Sequence, residues 1–440
     1  MAIIIFLQKN LRLIDNPALQ WASQQQEPII IIYVAEKQQG VGHQWWRDQS
    51  LASLAVDLAT MQMPLFYHEG AMAPLVQEIK KIYSDLIFAW NDEDSAWEKE
   101  IKDAKIFLGN YLFSSLEKSY QRYTPYFKYV TQSAVQEPLK KVRFVDAHIP
   151  SSAFLKQIKQ YQAILTDISF SQYYKPSEKE AQKRWKHFLE HDLIFYDRSR
   201  DLPAQNKTSH LSAALHFGEI SVRQIWYDLL KQKASVGRTR FMHEIVWREF
   251  CHQLLKHFPH LTHLPLQEKF TDFWYAKQQD FFDRWKKGMT GFPLVDAGMR
   301  ELYETGFMHN RVRMIVASFL TKHLGIDWRH GAAWFMERLV DADVAQNYAN
   351  WQWVAGCGAD AAPFFRIFNP ILQAKKYDPE AAYIKKWIPE LRNISVSDLL
   401  RPAQSFDRIK NKYPEQMIDL NEKRDEALAA FKALAGKKKK

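Results

Sequence analysis

The chain changes its hydrophobic period once, and that change limits the folds open to it. Up to about residue 130, short apolar runs alternate with amphipathic stretches. IIIFL (3–7), IIIIYV (29–34), LFYH (65–68) and DLIFAW (85–90) have the length and composition of buried strands. Between them Pro17–Gln24, Gln44–Met61 and Ala73–Tyr83 read as helices. Strands alternating with helices predict a parallel sheet covered on both faces, with ligands at the carboxyl ends of its strands. No GxGxxG follows any strand, which speaks against a dinucleotide held in the usual Rossmann manner. From about Thr131 to Tyr174 the pattern weakens around Pro138, Pro150 and SFSQYY, and the stretch reads as a linker. From Pro176 strand signals stop and helical periodicity takes over, as in Ser177–His191, Ser221–Gln232, Arg240–His257 and Met299–His323. The expected fold is an α/β N-terminal domain (1–130, a Rossmann-like parallel sheet), a linker (131–175), a larger all-α domain (176–430) and a basic tail (431–440).

A chain of 440 residues is too long for one ordinary core, in line with that division. No apolar run is long enough to span a bilayer, and the opening residues lack a secretory signal pattern. The two cysteines, Cys251 and Cys357, lie far apart and form no CxxC. Neither a disulfide framework nor a zinc site is expected, and a reducing cytoplasm is the simplest location. The net charge of +10 is uneven: residues 1–150 hold 15 basic and 17 acidic side chains, a net −2, leaving +12 beyond them. The terminal KKKK supplies +4 of that, so +8 stays on residues 151–436. A basic second half beside a mildly acidic first half points to a polyanion bound by the second half.

The densest chemistry lies in DADVAQNYANWQWVAGCGADAAPFFRIFNP (341–370), with Asp341, Asp343, Asn347, Trp351, Trp353 and Asp360 in one short span. Residues three or four apart share a helical face, so Asn347 and Trp351 point the same way. Acceptors, amides and indoles aimed at one place suit a planar heterocycle with hydrogen-bonding edges. A tryptophan-rich core with surface carboxylates explains any one of these residues. It does not explain the set, because buried charges need partners, and Arg313 serves only one carboxylate. TSHLSAALHFGEIS (208–221) places Thr208, Ser209 and Ser212 at the start of a helix, where hydroxyls and free N–H groups suit phosphate or simply cap the helix. EIVWREF (244–250) puts Glu244, Trp247 and Arg248 on or near one face, either as a reader of an extruded base or as a buried indole beside an ion pair.

Taken together, TSHLS, EIVWREF, GFPLVDAGMREL, GFMHNRVRM, DADVAQNYANWQW and GADAAPFFRIFNPILQ resemble the photolyase/cryptochrome family. They are most similar to its bacterial class I cyclobutane pyrimidine dimer photolyases. The resemblance implies an FAD, reduced when active, buried among the helices. It assigns Tyr196, Thr208, Ser209, Leu211 and Ser212 to the ribose and phosphates. Phe241 stands at a flavin-contact position where the family usually has tryptophan. Glu244, Arg248, Asn310, Arg313, Asp341 and Asp343 would surround flavin and adenine, and Asn347 falls where the family places an amide beside flavin N5. The implied reaction is light-driven electron donation to a thymine dimer flipped out of DNA, so the cofactor carries the hard chemistry. Glu244 would hydrogen-bond the thymine carbonyls, with Asn310 close by, and Trp247, Trp353 and Met314 would wall the dimer pocket. Arg200, Arg311, Arg366 and Gln373 lie where the family contacts DNA, as does Arg248, which has a structural alternative. Trp351, Trp328 and Trp274 match the family's electron relay, with Tyr275 competing for the outermost place.

The resemblance implies a monomer that acts on dimer-containing DNA, without a membrane. Asn310 favours cyclobutane repair, because six-four photolyases carry histidine there. Little follows the core after about Leu391, where a signalling cryptochrome usually adds a long tail. For a second, antenna chromophore the family pattern is altered: Gln8 and Asn10 replace arginine and aspartate, Trp97–Glu98 stands where folate-type members have Asn-Glu, and His263 replaces a lysine. A deazaflavin, a flavin, a folate or no antenna stay open, with Gln8, Arg12, Arg47 and Glu98 as the residues to follow.

Overall fold

The computed structural model describes residues 1–35, 40–82, 85–92, 98, 101–113, 118–144, 159–161, 170–271, 273, 279–361, 366–401 and 412–436. The apolar runs form a sheet in the order β5-β4-β1-β2-β3-β6. Its strands are β1 (Ala2–Leu7), β2 (Ile29–Ala35), β3 (Leu65–Glu69), β4 (Leu86–Asn91), β5 (Ala104–Phe107) and β6 (Lys159–Gln160). The first five are parallel, with Ile4 opposite Ile30 on one side and Phe88 on the other. β6 adds antiparallel to β3. Ile3, Ile4 and Ile5 have no exposed surface, as expected of a central strand covered on both faces. Helices Pro17–Ala22, Val41–Ala59 and Met72–Ile82 alternate with β1–β4 close to the expected bounds.

Two strands escaped the sequence reading. AKIF of β5 is a four-residue edge with two exposed positions, too short to show a period. β6 is a two-residue strand inside the stretch read as linker.

The order places the crossover between β1 and β4, where parallel sheets usually open a ligand crevice. In this chain the Asn91 amide at the end of β4 donates to Asn16 Oδ1 at 2.8 Å and accepts from Ala18 N at 3.2 Å. Protein side chains occupy that position.

Beyond residue 176 the elements are helical. Ser177 and Ser221 cap helices Glu178–His187 and Val222–Lys231. One expectation needs correcting: Met299–His323 is not a single helix. Pro293–Thr305 ends at Gly306, whose φ of +67° is the left-handed C-cap that glycine adopts most readily. A new helix, Asn310–Ser318, then starts on a His309 side-chain cap and runs into a π-turn, Phe319–His323.

By contacts the chain divides into two compact units. The sheet unit holds Met1–Lys118, Tyr129–Ile194 and Ser209–Glu249, and the helical unit holds Ser119–Lys128, Phe195–Thr208 and Phe250–Lys440. Among the described residues no helix is long and apolar enough to cross a membrane.

Candidate functional site

In the helical unit, helix Val344–Ala355 carries the densest set of candidates. Asp343 caps it by accepting from Gln346 N at 2.9 Å, and Gly356 ends it at φ +93°. Asn347 and Trp351, four residues apart, both face helix Trp328–Arg338. The Asn347 Nδ2 donates to the Ala332 carbonyl at 2.9 Å. Trp351 lies over Gly331 so closely that a Cβ there would meet its Cη2 at 2.2 Å. The ring neighbours of Trp351 are Phe335 at 5.1 Å and Trp285 at 6.3 Å. Trp328 is buried and meets Tyr348 edge-on at 6.2 Å. Trp274 and Tyr275, the expected outer end of the relay, lie outside the described residues, as does Trp97. Trp353 is half-buried and donates to the Asp360 carbonyl at 3.2 Å. Sequence reasoning missed Gln352, which is fully buried and holds Leu261 O, Leu264 O and Leu266 N, each at 2.8 Å.

The carboxylate that Arg313 serves is Asp341. Arg313 Nη2 donates to both carboxylate oxygens at 2.9 and 3.1 Å, while its Nε donates to Met308 O at 2.6 Å. The second carboxylate, Asp343, is buried 3.4 Å from His252 Nε2. Asn310 is exposed at the start of its helix. A carboxylate that the sequence did not single out fixes that start: Glu301 accepts from His309 N at 3.3 Å and from the Tyr383 hydroxyl at 2.5 Å. Burial pushes Glu301 up to about 7, against the pull of the Tyr383 and His309 hydrogen bonds. Asp296, at the head of the same stretch, is spent on a turn, accepting from Thr290 N, Gly291 N and Tyr413.

Two of the candidate DNA arginines of this unit, Arg200 and Arg311, meet one acid. Arg311 donates to Asp201 Oδ1 at 2.9 Å and stacks on Tyr377 at 4.5 Å, and its Nη1 reaches Met314 Sδ at 3.8 Å. Arg200 sits 3.7 Å from the same carboxylate and over the Tyr196 ring. Fixed, half-buried guanidiniums lose little freedom on binding phosphate. Asp201 and Tyr377 had no sequence signal, since neither lies at helical spacing from these arginines.

In the sheet unit, Ser209 and Ser212 sit at a short helix, Ser212–His216, that has no side-chain cap. Their hydroxyls, like that of Thr208 in the helical unit, have no hydrogen-bond partner among the described residues. Ordinary capping does not account for them. Leu211 and Phe241 are buried, and Phe241 packs on Trp185 at 5.7 Å and Phe188 at 4.7 Å. Glu244 and Trp247 are half-buried on helix Val236–His257. Arg248 is buried, with Nη1 on Asn110 O at 3.1 Å and Glu249 Oε1 at 3.2 Å, and it faces Tyr111. These contacts fit the structural alternative that the sequence left open for it.

Of the antenna candidates, Arg12 is held by protein acceptors. Its guanidinium is fully buried and donates to Ile14 O, Asp15 O, Gly109 O, Gly218 O and Asn110 Oδ1. Burial lowers it to about 10, against the attraction of Asp15. Arg47 is buried on Asp48 at 2.8 Å, Gln8 is buried, and Glu98 is half-buried. No local pattern signals the Asp15–Arg223 pair at 2.5 Å.

A parallel sheet unit, and a helical unit with buried indoles and a paired carboxylate, have the architecture of the photolyase/cryptochrome class. A family model described as "DNA photolyase" matches residues 3–106, and one described as "FAD binding domain of DNA photolyase" matches residues 241–433. A deoxyribodipyrimidine photo-lyase of Agrobacterium fabrum is 37% identical, covering 98% of each chain, and that of Escherichia coli is 30% identical at the same coverage. A solved structure described as a bacterial class III photolyase from Agrobacterium tumefaciens superposes with a TM-score of 0.89 at 36% identity, covering 99% of this chain and 98% of its own. That neighbour is of class III, not of the class I group named from the sequence. The chain belongs to the DNA photolyase family.

Proposed function

We propose that this protein repairs cyclobutane pyrimidine dimers in DNA under light, using FAD. The relatives named as deoxyribodipyrimidine photo-lyases support the reading, because they match this chain over nearly its whole length. Within the chain it is supported by polar groups of each unit taken separately: in the sheet unit the Ser209 and Ser212 hydroxyls, and in the helical unit the Thr208 hydroxyl and the Arg313–Asp341 pair. These groups fit an FAD. The hydroxyls suit its ribose and phosphates, and the half-exposed guanidinium of a buried pair suits its ring edge.

When bound and reduced, FAD supplies light-driven electron donation to the dimer and takes the electron back. The protein's residues do the rest. Tyr196, Leu211 and Phe241 give apolar surface, and Asp343 and Asn310 add acceptors. Asn347, with its amide held by Ala332, would offer a fixed dipole to the flavin, and Arg313 would offset negative charge on it. Glu244 reads the everted bases by hydrogen bonds, while Trp247, Trp353 and Met314 exclude water. Arg200, Arg311, Arg366 and Gln373 hold the phosphates. Trp351 and Trp328 would serve as electron donors to an oxidised flavin, with the outermost place assigned by the resemblance to Trp274 or Tyr275.

The domain bounds 1–130, 131–175 and 176–430, a cytoplasmic location and a monomeric state belong to this proposal. A second chromophore near Gln8, Arg12, Arg47 and Glu98 stays part of it as a question of which one, if any.

The test is an absorption spectrum of purified protein before and after denaturation, followed by blue-light treatment of an oligonucleotide holding one thymine dimer. Flavin release and loss of the dimer are expected. Flavin-loaded, pre-reduced protein that leaves the dimer intact sinks the repair reading and favours a photoreceptor.

A further inference from the structure

We infer that Lys322, with Ser318, is the positioning device that holds the segment Arg366–Gln373 ready for DNA; this rests on the reading of Arg366 and Gln373 as DNA contacts. Lys322 belongs to the π-turn Phe319–His323, which continues helix Asn310–Ser318. An ammonium is costly to bury, and Lys322 is 5% exposed. Its Nζ donates to the backbone carbonyl of Arg366. One helical turn earlier, the fully buried Ser318 Oγ accepts from Phe368 N at 3.1 Å. Burial pushes Lys322 down to about 7, with the Cys357 thiol opposing the fall and Arg366 adding to it.

The two tethers act where regular structure does not. Residues 366–369 belong to no helix or strand, so their backbone groups need partners from elsewhere. The tethers grip a carbonyl and an N–H two residues apart, which fixes the peptide planes between them. Just beyond, Asn369 accepts from Ile371 N at 3.0 Å and Leu372 N at 3.1 Å and starts helix Pro370–Tyr377, which carries Gln373. The exposed Arg366 side chain therefore leaves from a backbone anchored on its buried side. A π-turn widens the helix by one residue and is enriched at functional sites. Here it brings the lysine onto a loop carbonyl. Lys322 itself is too buried to touch a phosphate, so its effect on DNA passes through the loop.

The test compares wild type, Lys322→Met, Ser318→Ala, Arg366→Ala/Gln373→Ala and the combined variant, as flavin-loaded full-length proteins. The probe is a duplex oligonucleotide with one thymine dimer. Lys322→Met is expected to weaken binding about tenfold, the order set by having to order two long side chains on binding. Flavin content and dimer splitting at saturating DNA stay at the wild-type level. The loss disappears when Lys322→Met is added to Arg366→Ala/Gln373→Ala. A general weakening of the fold would not vanish in that background. Wild-type affinity in Lys322→Met, or an equal loss in the combined variant, overturns the proposal. If Lys322→Met does not fold, Ser318→Ala carries the same comparison with the same two outcomes. Unchanged binding by Arg366→Ala/Gln373→Ala overturns the DNA-contact assignment first, and the tether proposal falls with it.

Discussion

Replacing Glu219 by glutamine should change how stability depends on pH. Glu219 is 1% exposed and its carboxylate accepts from Trp46 Nε1 at 3.1 Å and from Ser50. Burial raises it from 4.5 to about 7, more than those two hydrogen bonds and the attraction of Arg184 pull it down. A carboxyl whose folded-state pKa is raised favours the folded state at low pH and loses that advantage as pH climbs. Below 4.5 both states are protonated, and between 4.5 and about 7 only the unfolded chain ionises. A shift of this size corresponds to about 3 kcal/mol of stability lost across that window. Glutamine keeps an oxygen for Trp46 and Ser50 and cannot ionise. Relative to wild type, Glu219→Gln should therefore gain about 3 kcal/mol on going from pH 4.5 to pH 8. For a chain of 440 residues that is a relative rise in Tm of about 3 °C. Differential scanning calorimetry of both proteins, flavin-free and in matched buffers, measures it. Parallel Tm-against-pH curves for the two proteins would refute the reasoning, since every other titrating group is common to both.

Three further outcomes are expected. Arg313→Ala leaves the Asp341 carboxylate buried without its partner and should cost about 3 kcal/mol, the lower end for such a deletion because Arg313 keeps 23% of its side chain exposed. Calorimetry and flavin retention on gel filtration check it. Trp351→Phe should retain flavin and split dimers once chemically reduced, yet lose most light-driven reduction of oxidised flavin, as followed by absorption under illumination. Gly331→Ala forces a methyl against Trp351 Cη2 at 2.2 Å and Leu320 Cδ2 at 2.6 Å, and should cost about 1–3 kcal/mol of stability while slowing the same photoreduction.

The parts of the site that were readable came from spacing. Asn347 and Trp351 are four apart, and that alone put them on one face; the partner helix with Ala332 and Gly331 was not foreseeable. Gly306 and the His-Asn at 309–310 did mark the break in Met299–His323, but the apolar period ran on through it and hid the signal. The surroundings of Arg12 and Arg248 were not readable for a different reason. Composition counts an arginine as available, and only the fold shows whether backbone carbonyls already occupy its donors.

By itself the sequence determined the parallel strands, the helical second half and the residues of the family motifs. Those features depend on periods of two to four residues, which side-chain order along the chain dictates directly. Only the tertiary structure decided which charges are spent and which are available: Asp15 on Arg223, Glu219 under Trp46, Lys322 on the Arg366 carbonyl. These contacts join residues from 44 to 208 positions apart. At such separations no local pattern records a partner, because the pairing is set by which buried polar groups the packed core leaves to satisfy one another.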